Sequence, residues 1–138
     1  MRRTRGSSLV ECLVAIAVFA VGSAANATWM MQSMATHARA SRLVAAVSIA
    51  ASVEARIRRN RDAALAGRYG DPARARSVDC AAGCDAAAIA ALDLHAFQQA
   101  LATHIGPAAS GAVRCGERAC AIGIAWRGQA LVDRRFRP

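Results

Sequence analysis

Four cysteines beyond the middle of the chain, Cys80, Cys84, Cys115 and Cys120, have the richest chemistry in the sequence. Thiolates at such short intervals can ligate zinc, or the thiols can oxidise to two disulfides, which requires an oxidising compartment. Of the three possible pairings, Cys80 with Cys84 and Cys115 with Cys120 is favoured, because each closes a local loop and the second brackets a turn. The remaining polar residues do not assemble a catalyst. Asp93 and His95 stand two apart, which on a helix turns them to different sides. Ser110 has no identifiable base, and His37 and His104 lie in unrelated segments. No catalytic residue, cofactor or metal site is expected, and Asp93 is read as a structural hydrogen-bond acceptor near the helix and sheet.

Whether the cysteines oxidise depends on where the chain resides, and the N-terminal segment decides that. From Leu9 to Met31 the only charge is Glu11, and as a helix this run spans about 34 Å at 1.5 Å per residue, enough to cross a bilayer. Arg2, Arg3 and Arg5 precede it and hold the N-terminus in the cytoplasm, so everything after Met31 is exported. Export places the four cysteines in an oxidising periplasm and weighs against zinc. Ala25-Asn26-Ala27 also offers an ordinary signal-cleavage site. Glu11 argues against that use, since a carboxylate inside an apolar insertion segment costs about 2.5 to 3.5 kcal/mol near a helix centre and somewhat less near its end.

Arg5-Gly6-Ser7-Ser8-Leu9-Val10-Glu11 resembles the leader of type IV prepilins. The resemblance implies cleavage after Gly6 by a prepilin peptidase, N-methylation of the new N-terminal Ser7, and an assembly role for Glu11, the fifth residue of the mature chain. A buried carboxylate needs a partner, and the terminal amine of a neighbouring subunit is a cation at the same depth. Ser7 and Cys12 depart from the usual pattern, in which the mature chain begins with Phe.

After Met31 the sequence stays compatible with a helix to about residue 60, with Leu43, Val47, Ala50, Val53 or Glu54, and Ile57 as its apolar stripe. The Arg56, Arg58, Arg59 and Arg61 cluster that follows reads as a solvated helix terminus whose cations complement the macrodipole. A shorter helix, capped by Asp85, carries Ile89, Leu92, Phe97, Leu101 and Ile105. Short strands follow over Ala112 to Arg114, Ala119 to Ala125 and Ala130 to Arg134, joined by turns at Gly116-Glu117-Arg118 and Arg127-Gly128. The basic R-x-R-x-N run ending at Asn60, Gly67-Arg68-Tyr69, the Cys80-x3-Cys84 pair, Leu92-Asp93-Leu94 with Phe97, and Ile122 to Trp126 are together similar to the type IV pilus modification protein PilV family. That likeness implies an α+β, pilin-like fold. A long N-terminal helix, membrane-spanning in its first half, packs on a small antiparallel sheet with a short second helix.

The expected organisation is a prepilin leader over 1–6, a transmembrane half-helix over 7–31, an amphipathic half-helix over 32–60 and a small periplasmic head over 61–138. The resemblance implies a minor pilin that helps prime pilus assembly near the tip, with other minor pilins, the major pilin, the prepilin peptidase and the inner membrane as partners. It would sit in the inner membrane first and in the surface pilus later. A type II secretion pseudopilin and a DNA-binding pilin are the rival readings. The formal charge of +9 is all arginine and dispersed, and aromatics are not interleaved with it on one face, which argues against nucleic acid.

Overall fold

The computed structural model describes residues 8–138. The chain divides into two units, Met1–Arg39 and Ala40–Pro138, and helix α1, Leu9–Arg59, runs from one into the other. In the first unit the described residues form helix alone and every side chain from Leu9 to Arg39 is exposed. Nothing in this stretch breaks a helix except Gly22, and α1 is long and apolar enough to cross a membrane.

In the second unit the last turns of α1 are followed by a short helix α2, Arg61–Leu65, a 3-10 turn at Pro72–Arg74 and helix α3, Ala86–His104. Strands β1, Ala109–Cys115, β2, Cys120–Trp126, and β3, Gln129–Phe136, form an antiparallel sheet in the order β1-β2-β3. The expected α+β, pilin-like architecture is what the protein adopts. Asp85 caps α3 by accepting from the Ala88 amide at 2.7 Å, and Gly106, at φ +117°, closes the helix in a conformation that glycine adopts at no steric cost. The β2–β3 hairpin turns through Arg127 and Gly128, both at positive φ, as a two-residue turn requires.

Pairing extends β1 and β3 beyond their expected bounds, because ladder bonds recruit flanking residues whose own β-propensity is low, while β2 keeps its expected length and lies one residue further on. The core collects Ala46, Ile49, Ala50, Val53 and Ile57 of α1, Leu94, Phe97 and Leu101 of α3, and Val113, Ile122, Ile124 and Phe136 of the sheet. The expected stripes are buried at Ala50, Val53 and Ile57 and at Phe97, Leu101 and Ile105, and differ only in their N-terminal members. Leu43 and Val47 are exposed while Ala46 and Ile49 are buried, and on α3 Ile89 is exposed while Ala90 and Leu94 are buried. In both helices the residues that extend the buried face include small alanines, Ala46 and Ala90, each fully buried.

Candidate functional site

Ser8 and Glu11 meet at the start of α1. The Ser8 amide donates to Glu11 Oε2 at 3.2 Å, and the Glu11 amide donates to Ser8 Oγ at 3.3 Å. This reciprocal S-x-x-E arrangement satisfies two amides that a helix start otherwise leaves open. The S-x-x-E spacing is legible in the sequence, so Glu11 has a capping role in the chain itself beside the intermolecular one expected of it. Gly6 and Ser7, the expected cleavage and methylation positions, lie outside the described residues.

Asp93 is the hub of the second unit. It is 6 % exposed, and its Oδ2 accepts from the Tyr69 hydroxyl at 2.8 Å while Oδ1 accepts from Arg56 Nη1 at 3.1 Å. Asn60 Nδ2 donates to the Tyr69 oxygen at 3.1 Å and to the Ala86 carbonyl at 2.8 Å. The network ties α1, the loop after α2 and α3 together; the acceptor role expected of Asp93 is present, but its partners come from α1 and the loop and not from the sheet. Tyr69 is buried, and that burial, reinforced by the bond to Asp93 and opposed by the Asn60 donor, holds its hydroxyl well above the usual tyrosine range.

A second anionic group, Glu54, is 7 % exposed on the opposite flank of α1. Arg58 Nη2 lies 2.8 Å from its Oε1, and Arg134 Nε, on the inward face of β3, lies 2.8 Å from its Oε2. The Arg134 N–H is not aimed at that oxygen, so this contact is a charge pair without a hydrogen bond. The arginine cluster is therefore not uniformly solvated as expected. Arg56 and Arg58 neutralise buried carboxylates, while Arg59 has no ion-pair partner among the described residues. The Glu54–Arg58 pair lies at the helical i,i+4 spacing, whereas nothing local signals Arg56 with Asp93 or Arg134 with Glu54, whose partners lie far apart along the chain. Trp126 closes the hairpin between two guanidiniums, Arg42 at 4.1 Å and Arg127 at 4.7 Å from its ring centre.

The sulfurs of Cys80 and Cys84 are bonded, as are those of Cys115 and Cys120. Cys115 and Cys120 also face each other as the last pair of the β1–β2 ladder. The four sulfurs are thus divided between two local loops, and among the described residues no group of three or more His, Cys, Asp or Glu side chains could hold a metal ion. His37 lies on α1 in the first unit; in the second unit Ser110 follows Ala109 at the start of β1, His104 closes α3, and the Asp93 carboxylate is held by Tyr69 and Arg56, not by His95.

Residues 1–25 match the family described as the prokaryotic N-terminal methylation motif. The chain thus carries a type IV pilin-like prepilin signal, which implies processing by a prepilin peptidase and assembly with other pilins. Together with the apolar helix behind it, the signal fits anchoring in a membrane before assembly. No curated protein and no solved structure matches the chain.

Proposed function

We propose that this chain is a minor type IV pilin of the PilV kind, acting in the priming of pilus assembly near the tip through contacts of its helix and head with other minor pilins and the major pilin. The observation that carries the reading is a methylation motif followed by an exposed apolar helix and a small disulfide-linked α+β unit. In this reading residues 1–6 are a leader removed by the prepilin peptidase after Gly6. Ser7 becomes the methylated N-terminus, 7–31 span the inner membrane, 32–60 continue as the amphipathic half-helix, and 61–138 form the periplasmic head with two disulfides. The N-terminus lies in the cytoplasm and the head outside. The protein works by assembly and has no catalysis of its own. A type II secretion pseudopilin bears the same kind of motif and differs in its partners.

The N-terminus of the mature protein tests the proposal. Mass spectrometry of the membrane fraction from cells with a prepilin peptidase is expected to find a chain beginning at Ser7, with or without a methyl group. A chain beginning at Thr28 would mean ordinary secretion and would remove the filament reading. Cross-linking in sheared pilus fractions then separates pilus from secretion system by the identity of the attached subunits.

A further inference from the structure

Two adjoining cavities run along the seam between α1 and α3 in the second unit. One, of about 480 Å³, is lined by Ser52, Ala55, Arg56, Arg59, Ile89 and Asp93 among others. The other, of about 240 Å³, shares Ser52 and Arg56 and continues past Ser48, Ala96 and Ala100 towards His104. Together they form one groove between two helices. Along α1 it extends from Ser48 to Arg59, about 16 Å or three helical turns at 1.5 Å per residue.

The groove has an apolar side and a cationic rim. Ile89 is 38 % exposed, and among the described residues it is the one large hydrophobic outside α1 left open to solvent. The buried carboxylate beneath the rim, Asp93, is already engaged by Tyr69 and Arg56 and has nothing to offer an incoming cation. Arg56 remains half-exposed, and Arg59, nearly one turn further, is exposed and has no ion-pair partner among the described residues. A trough between two helices, floored by short side chains and edged by an apolar anchor, takes a third helix by ridge-into-groove packing. The rim asks that helix for carboxylates.

A second copy of this chain does not supply them. Of the carboxylates on its helices in the second unit, Glu54 and Asp93 are buried and paired, and Asp62 stands on α2, a helix of 5 residues. We infer that the α1–α3 groove docks an acidic amphipathic helix of about three turns from another protein, its apolar stripe on Ile89 and its carboxylates on Arg59 and the outer nitrogens of Arg56. This surface goes beyond the filament reading and does not depend on N-terminal processing.

The test uses the full-length protein in detergent micelles and two fluorescein-labelled synthetic helical peptides of three to four turns. Both carry a Leu/Ala stripe, flanked by Glu in one and by Lys in the other. By fluorescence anisotropy the Glu peptide is expected to bind at least about tenfold more tightly than the Lys peptide. Arg59→Glu is expected to reverse that order, and Ser52→Trp, which fills the groove from an exposed position, to abolish binding of both. The urea midpoints of these two variants should match the parent, because neither side chain packs in the core. Equal binding of the two peptides, or binding indifferent to both substitutions, would overturn the assignment. So would salt-steep retention of duplex DNA that is lost in Arg59→Glu, which would make the rim a phosphate site. Self-association abolished by Ser52→Trp would overturn it in favour of a second copy.

Discussion

Tyr69 is the only tyrosine in the chain, so its ionisation can be followed directly. In the unfolded chain the phenol loses its proton near pH 10; in the folded unit, burial and the bond to Asp93 keep it protonated to higher pH. A folded-state pKa raised above the unfolded one means that the group's contribution to stability is fully present below about pH 10 and is lost as pH rises beyond it. The urea midpoint is therefore expected to hold up to about pH 9.5 and then fall, while tyrosinate absorbance of the folded protein develops only above the ordinary range. Tyr69→Phe should remove that fall and lower stability at neutral pH by about 1 to 3 kcal/mol, since it leaves the Asp93 carboxylate short of a donor. A folded-state absorbance midpoint near pH 10 would show that the hydroxyl is not held as described. Sequence reading marked Asp93 as an acceptor but not its donor: Tyr69 is 24 positions away in the chain, and only packing of the loop against α3 brings them together.

At the scale of elements, α3 and β1 approach so closely that Gly111 has no room for a side chain. A Cβ there would come within 2.5 Å of both Leu101 Cδ1 and Phe97 Cζ. Gly111→Ala is expected to cost about 1 to 3 kcal/mol by overpacking, read as a lowered urea midpoint. Gly123, in the middle strand, is the matched control. A Cβ there would meet nothing within 4 Å, so Gly123→Ala should be neutral or stabilising by up to about 1 kcal/mol. Equal losses at the two positions would mean that strand propensity, not the α3 contact, sets the effect. The β1–β2 connection makes a separate prediction. Cys115 and Cys120 close a short loop, so the double serine variant should lose about 2 kcal/mol by the chain-entropy model and melt several degrees lower. A melting temperature unchanged from the parent, or one already insensitive to reductant, would show that the ladder holds the hairpin by itself. Helices, strands and most of the buried faces of α1 and α3 were legible from periodicity and turn residues, whereas the N-terminal ends of those faces were not. Leu43 and Ala46 both lie on plausible stripes, and only the packing of the folded unit buries Ala46 and leaves Leu43 exposed.

Across the whole molecule, Glu11 carries two candidate tasks that one substitution separates. In the chain by itself it closes the Ser8 capping box; in the proposed filament it also meets a neighbour's terminal amine. Glu11→Gln keeps a side chain able to cap at that position and removes the charge, whereas Glu11→Ala removes both. If charge pairing governs assembly, both variants should insert in the membrane and neither should appear in sheared pili. If capping is the whole role, Gln should assemble like the parent and Ala should not. Immunoblots of membrane and pilus fractions distinguish these outcomes.

The sequence by itself determined the features that depend on neighbours along the chain. These are the prepilin-type signal around Gly6 and Glu11, the length of the apolar helix, the Asp85 cap, the hairpin turn at Arg127-Gly128 and the α+β class. Each is set by local sterics, by a backbone hydrogen bond or by hydropathy summed over a window, which a linear reading can evaluate. Only the tertiary structure decided that Ala46 and Ile49 take the places expected of Leu43 and Val47 in the buried face of α1, that Arg56 and Arg134 serve the carboxylates of Asp93 and Glu54, and that an open groove remains between α1 and α3. Those outcomes rest on desolvation and close packing between segments distant in sequence, where a buried charge must find whichever partner the fold delivers.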